Sequence, residues 1–136
     1  MNNLQTDLEQ SQNYMVYENR GWGLAKNGRY QEAIVEYQKA IGIIQKEPGD
    51  RGKLFKKDNN GKFVQLSAKE MDQADEESRA FKQKFSRLRL VDLFITTHQP
   101  KEAIEQIDLL LAHKQVEHVK KELLAKKNSL QAKIQK

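Results

Sequence analysis

Few residues in this sequence have the type and spacing to do chemistry. The three histidines are His98, His113 and His118. A zinc site needs imidazoles brought onto one face or one turn. His113 and His118 are five apart with a break predicted at residues 114–115, so they read as surface residues. The acidic run over residues 72–77 supplies carboxylates but lacks the glycine and the spaced oxygens of a calcium loop. It reads as the solvated face of a helix. Cysteine is absent, which excludes disulfides, thiolate metal sites and a cysteine nucleophile. There is no glycine-rich phosphate loop, no nucleophile elbow and no His-Glu-x-x-His motif. The expectation is a protein that is not an enzyme, with no cofactor and no metal. Binding chemistry remains, and Trp22, the only tryptophan, stands out for it. It falls outside the packing stripe of its segment. An exposed tryptophan makes an interface anchor; the alternative is that Trp22 packs under the 48–66 segment or the N-terminal turn.

The charge is unevenly placed. The chain has 136 residues and a net charge of +5. Residues 48–66 carry five bases against two acids, and residues 114–136 carry seven lysines against two glutamates. The remainder is close to neutral. No arginine or aromatic residue lies in the lysine-rich tail, whereas base recognition favours arginine forks and stacking rings. A solvated end helix is the plainer reading, with a nonspecific polyanion contact behind it. No run approaches the roughly 18 apolar residues of a membrane span. The opening residues MNNLQTDLEQ resemble neither a signal nor a transit peptide. A single cytoplasmic domain over residues 1–136 is expected.

The elements that must position these residues are helices. Both prolines, Pro48 and Pro100, fall at segment junctions. Residues 4–27 read as a first helix. One stripe on it is Leu4, Leu8, Ser11 and Met15; a second is Tyr14, Tyr17, Gly21 and Leu24. Asn27, Gly28 and Arg29 form a stop and turn, with Gly28 suited to a positive φ. Residues 30–46 form the next helix, burying Ala33, Ile34, Tyr37, Ala40, Ile41 and Ile44. So short a turn makes the two helices antiparallel. Glu47, Pro48, Gly49 and Asp50 end that helix. In residues 48–66, Leu54-Phe55 and Phe63 to Leu66 flank Asp58-Asn59-Asn60-Gly61. That is a hairpin signal, with an irregular loop packing Phe55 and Phe63 on the helices as the alternative. Ser67 and Glu70 fit a capping box. The helix that follows reaches about Thr97, with Phe81, Phe85, Leu88, Val91 or Asp92, and Ile95 as its apolar stripe. After a break at Pro100, residues 101–113 form a helix burying Ala103, Ile104, Ile107, Leu110 and Leu111. A last helix over residues 116–134 has an apolar edge of Val116, Val119, Leu123, Leu130 and Ile134, interrupted by Lys126 and Lys127.

Two segments repeat each other. Residues 30–41, YQEAIVEYQKAI, match residues 100–111, PKEAIEQIDLLL, with Glu-Ala-Ile at the same place. Ala33 and Ala103 correspond at an offset of 70, and each match follows a helix, so each unit is helix–turn–helix. A small residue at 33 or 103 lets the second helix approach the first, with Gly21 as the matching small position. Tyr37 or Ile107 then fills the space one turn on.

These residues resemble the tetratricopeptide repeat. Tyr17, Gly21, Leu24, Gly28, Tyr30, Ala33, Tyr37 and Ala40 take the pattern's places in a first unit, residues 14–47. Arg20 departs from the usual leucine, and Pro48 comes one residue late. A weaker second unit covers residues 84–113, with Val91 in the small place and Leu110 for the last alanine. The run "G-x-Y-x-E-A-I-x-x-Y-x-x-A-I" is equally similar to the microtubule-interacting-and-trafficking domain, a three-helix module; the second Glu-Ala-Ile unit favours the repeat. The resemblance implies an all-α fold of two antiparallel helix pairs, with 116–134 as a capping helix and residues 48–66 as an insert. It implies a non-catalytic scaffold, adaptor or chaperone whose first helices line a concave groove for a partner's peptide or helix. The groove positions fall on Glu18, Trp22 and Lys26, spaced i, i+4, i+8 on one face, and on Arg89, Asp92 and Thr96. The family's carboxylate clamp has Lys and Asn where this chain has Glu18 and Trp22, so acidic C-terminal ligands of that subtype are not expected. Two units are few for a stack, so terminal helices or a homodimer must cover the ends. The other readings are a trafficking-type module holding a partner helix, or a nucleic-acid or membrane-surface binder using the lysine tail and the insert. Neither nucleic acid nor membrane is the favoured partner.

Overall fold

The architecture comes from a computed structural model, which describes residues 13–46 and 55–135. Their order is α1 (Tyr14–Lys26), α2 (Tyr30–Lys46), β1 (Phe55–Lys57), β2 (Phe63–Gln65), α3 (Ala68–Thr96), α4 (Pro100–Leu111) and α5 (Glu117–Ile134). Each helix packs on the next: α1 on α2, α2 on α3, α3 on α4, and α4 on α5. The fold is all-α with a small β-hairpin. The stretch 4–12 of the expected first helix and residues 48–54 of the insert lie outside the described residues.

The turns explain why the helices pair. Asn13 opens α1, its Oδ1 accepting the Met15 N–H at 3.0 Å, as an N-cap asparagine does. At the other end Gly28 has φ 77. Its N–H donates to the Ala25 carbonyl, and the Arg29 N–H donates to that of Leu24. This is a Schellman closure, in which a left-handed residue lets two orphan carbonyls be satisfied. Seventy residues on, the closure recurs bond for bond. His98 has φ 60, its N–H donates to Ile95, and the Gln99 N–H donates to Phe94. The next helices then begin alike, Ala33 donating to Arg29 and Ala103 to Gln99. Pro100 fills the first position of α4, where no N–H is needed.

The core runs through all five helices. Each of the six α2 residues expected inside is buried. Ala33 and Ala103 have no exposed surface, and Tyr37, Ile44, Leu90, Ile107 and Leu123 are among the largest enclosed side chains. Each of these contributes roughly 1.5–3 kcal/mol by leaving water. A Cβ added at Gly21 would meet Tyr37 Cε2 at 2.8 Å, so α1 and α2 touch where glycine stands. On α4, Ala103, Ile107 and Leu110 are buried and Ile104 and Leu111 half-buried; on α5 only Leu123 and Leu130 are buried. Val116 and Ile134 are exposed, so the apolar edge of α5 frays at both ends.

Three expectations need correction. The stripe on α3 is displaced. Phe81 and Phe85 are exposed, and the inward face is Gln83, Ser86, Leu90, Val91, Leu93 and Phe94. That face carries polar residues because they are hydrogen-bonded: Ser86 donates to Glu18 of α1, and Gln83 accepts from Arg87 of the same helix, which also donates to Gln106 of α4. Met15 is exposed, so it lies on no covered stripe. Asp75, within the acidic run, is buried rather than solvated. The insert is a hairpin, Phe55 opposite Gln65 and Lys57 opposite Phe63, but Phe55 and Phe63 both face solvent. Its turn is tied by Asp58, whose Oδ1 accepts from Asn60 and Lys62 N–H at 2.9 Å each. Lys56 pairs with Glu70, joining the hairpin to the capping box of Ser67 and Glu70 that starts α3.

Candidate functional site

Helices α1, α3 and α5 meet side by side through polar bridges. The Ser86 hydroxyl on α3 donates to Glu18 Oε2 on α1 at 2.6 Å. On the other flank of α3, Lys126 Nζ of α5 donates to Asp92 Oδ1 at 3.1 Å. The sequence separations across these bridges are 68 and 34 residues. Between the bridges α3 presents Phe85, Arg89, Asp92 and Thr96, which share one helical face.

Each residue expected in the groove lies on or beside this face, but the six differ in state. Trp22 is 48% exposed, so about half of its surface is open. Lys26 Nζ sits 4.2 Å from the centroid of its ring, a cation–π geometry. Arg89 lies 5.0 Å from the Phe85 ring, and Phe85 is itself 44% exposed. Glu18 is half-buried and engaged by Ser86. Its burial pushes the carboxyl above the ordinary carboxylate range, against the lowering effect of the Ser86 hydrogen bond. Asp92 is engaged by Lys126, and the Thr96 hydroxyl donates to the Asp92 carbonyl at 2.9 Å. Trp22, Lys26 and Arg89 are therefore open to a partner, while Glu18, Asp92 and Thr96 are occupied within the fold.

Tyr37 of α2 lies under the seam. Its ring meets that of Phe85 edge-on, centroids 6.3 Å apart at 62°. Burial raises its phenol pKa, the Arg89 charge lowers it and the Glu18 charge raises it. Both charged groups are thus close to one buried ring. Two site residues escaped the sequence reading. Phe85 reads as core by hydropathy, although its i, i+4 spacing to Arg89 copies that of Trp22 to Lys26. Lys126 reads as an interruption of an apolar edge, yet it reaches Asp92 at 3.1 Å and Glu122 at 3.4 Å. Burial lowers its pKa, and the bonds and charges of Asp92 and Glu122 outweigh that to hold it raised. Lys127 likewise pairs with Asp108 of α4 at 2.7 Å.

Elsewhere, a cleft of about 400 Å³ lies between α3 and residues 112–115, lined by Glu77, Phe81, Lys84 and His113 among others. His98 is exposed at the turn between α3 and α4, and His118 near the start of α5. Among the described residues no three of histidine, aspartate and glutamate gather to hold a metal ion. No helix among them is long and apolar enough to cross a membrane. No protein-family model, curated protein or solved structure matches the chain.

Proposed function

We propose that this chain is a non-catalytic protein-binding module of tetratricopeptide-like design, a scaffold, adaptor or chaperone working in the cytoplasm. It takes a peptide or helix of a partner across the face of α1, α3 and α5. The observation that carries this reading is Trp22, an exposed indole capped by Lys26 beside the α1–α3 seam. A large ring on a rigid helix gives much contact area at low entropic cost. The repeat reading draws support from the bridges of 68 and 34 residues, which are two and one periods of a 34-residue unit. The duplicated turn, the enclosed Ala33 and Ala103 and the Gly21–Tyr37 approach support it too. A three-helix trafficking module is disfavoured because α4 and α5 continue the packing of α3. The polyanion reading is weakened because Lys126 and Lys127 are held by Asp92 and Asp108.

Site-directed photo-cross-linking tests the proposal. A cross-linker at Trp22 or Phe85 should give an adduct with one partner protein. At Val35 or Leu109, exposed on α2 and α4, it should give none. Adducts from the second pair alone would move the interface to the other layer and overturn the reading.

A further inference from the structure

The cleft between α3 and the α4–α5 connection has a volume of about 400 Å³. Ala80, Phe81 and Ala112 form its apolar lining; Glu77, Lys84, His113, Lys114 and Gln115 form its polar lining. A recess of about 60 Å³ shares Ala80, His113 and Gln115 with the cleft and is lined by Arg87 as well. Neither is lined by a residue named for the face of α1, α3 and α5. This site therefore stands apart from the proposed docking function.

Arg87 is half-buried, yet its hydrogen bonds go to neutral amides. Its Nε and Nη2 donate to Gln83 Oε1 at 3.1 and 2.7 Å, and its Nη1 donates to Gln106 Oε1 at 2.8 Å. Of the five guanidinium N–H groups, one on each Nη is left over. Among the described residues no carboxylate oxygen comes within 4.0 Å of it. The amides fix the fork without cancelling its charge. A cation drawn out of water with no counter-ion is unfavourable, and burial lowers the Arg87 pKa against the charge of Glu105. Gln115 is incomplete in the opposite sense. Its Nε2 donates to the Leu110 carbonyl at 2.9 Å, while its Oε1 is buried with no hydrogen-bond partner. With His113 neutral, Lys84, Arg87 and Lys114 outnumber Glu77 in the lining, and still do when Glu105 is added.

We infer that the recess and cleft bind a small organic oxyanion. Its head, a carboxylate or a phosphate monoester, takes the remaining N–H groups of Arg87, with Lys84 and Lys114 adding attraction. A hydroxyl or amide N–H beside that head donates to Gln115 Oε1, which removes the cost of an unmet buried acceptor. The apolar body lies on Ala80, Phe81 and Ala112. The cleft's volume falls in the range of small-ligand pockets, roughly 300–1,000 Å³. A neutral ligand would leave the guanidinium without a counter-ion, and an amine would face like charge.

Titration of the full chain with phenyllactate, phenyl phosphate, phenylpropanol and phenethylamine, followed by amide NMR, tests this. At least one of the two acids should give saturable shifts centred on Glu77 to Arg87 and residues 112–115, and the tighter one names the head group. The alcohol should bind about tenfold more weakly, and the amine more weakly still. Arg87→Met keeps an unbranched stem without the fork and should weaken the acid about tenfold. Lys114→Gln, an exposed position in the connection, should weaken it about threefold, and Glu77→Gln should tighten it. These two variants decide the matter if Arg87→Met does not fold. Lys46→Gln on α2 should change nothing. Equal binding of acids, alcohol and amine, preference for the amine, or acid binding insensitive to the cleft variants would overturn the inference. So would the absence of saturable shifts with both acids, or shifts that lie outside the cleft.

Discussion

Gly21 should be the least replaceable glycine described, and its neighbours supply the control. An alanine Cβ at position 21 would stand 2.8 Å from Tyr37 Cε2 and 3.0 Å from Cδ2 and Cζ. Tyr37 cannot swing aside: it is 1% exposed and backed by Phe85. Either the ring leaves its rotamer or α1 moves off α2, at about 1–3 kcal/mol for an overpacked site. Alanine regains about 1 kcal/mol of helix propensity over glycine. Gly21→Ala should therefore be destabilised by up to about 2 kcal/mol. Gly23 and Gly42 are also helical, but an added Cβ there meets nothing within 4 Å. Alanine at either should stabilise by up to about 1 kcal/mol. Urea unfolding followed by helical circular dichroism reads all three on one scale. Gly21→Ala matching or exceeding Gly23→Ala in stability would refute the close approach of α1 to α2.

Other expectations concern single groups. His98 occupies the left-handed place that Gly28 fills in the first turn, so His98→Gly should raise stability by about 0.5–1 kcal/mol in the same urea assay; a loss would mean that the imidazole itself holds the turn. Arg20 reaches the buried Glu36 at 3.4 Å, with Lys39 at 3.7 Å. Arg20→Leu should cost about 1–3 kcal/mol by leaving that carboxylate to the more distant Lys39 alone, and adding Glu36→Gln should recover most of it, since Leu90 and Gln106 stand 70 residues on. The double variant staying as unstable as the single one would contradict this. For pH, the raised Glu18 pKa means the folded chain holds that proton more tightly than the unfolded one. Its contribution is greatest below the unfolded pKa and falls as pH rises through the raised value, so Glu18→Gln should flatten that decline. Glu70 has the opposite sign: its pKa is lowered, first by Lys56 and then by Ser67, so its contribution is lost as pH falls. Carboxyl NMR titration should place Glu18 above and Glu70 below the ordinary glutamate value.

The helices were legible in the sequence because their apolar residues recur with the 3.6 period. On α2 every residue of the periodic set is buried, and Glu36 is buried besides. On α3 hydropathy pointed the wrong way, since the buried face holds Gln83 and Ser86 while Phe81 and Phe85 face water. No local pattern reveals that a serine will meet a glutamate 68 residues away. For the same reason Glu18 and Asp92 read as open binding groups, although each is engaged across a helix seam. Helical spacing puts Trp22 and Lys26 on one face of α1, and both of them and Arg89 are exposed. The second turn was located by Pro100, but nothing marked His98 as the stand-in for a glycine. The hairpin was foreseen from Asn60-Gly61, whereas the tie through Asp58 depends on backbone geometry.

Helix α3 has 29 residues, against 13 in α1 and 12 in α4. From Ala68 to Lys82 only Asp75 is buried; the packed half starts at Gln83. The first half is therefore a mast stepped into the body, with the hairpin lashed to its tip by Lys56 and Glu70. Its bearing is set by helical phase. Removing one residue ahead of Gln83 would rotate that tip by about 100° and lower it by about 1.5 Å. Removing a stretch near a whole number of turns would shorten the mast and keep its heading, so reach and direction can be altered separately.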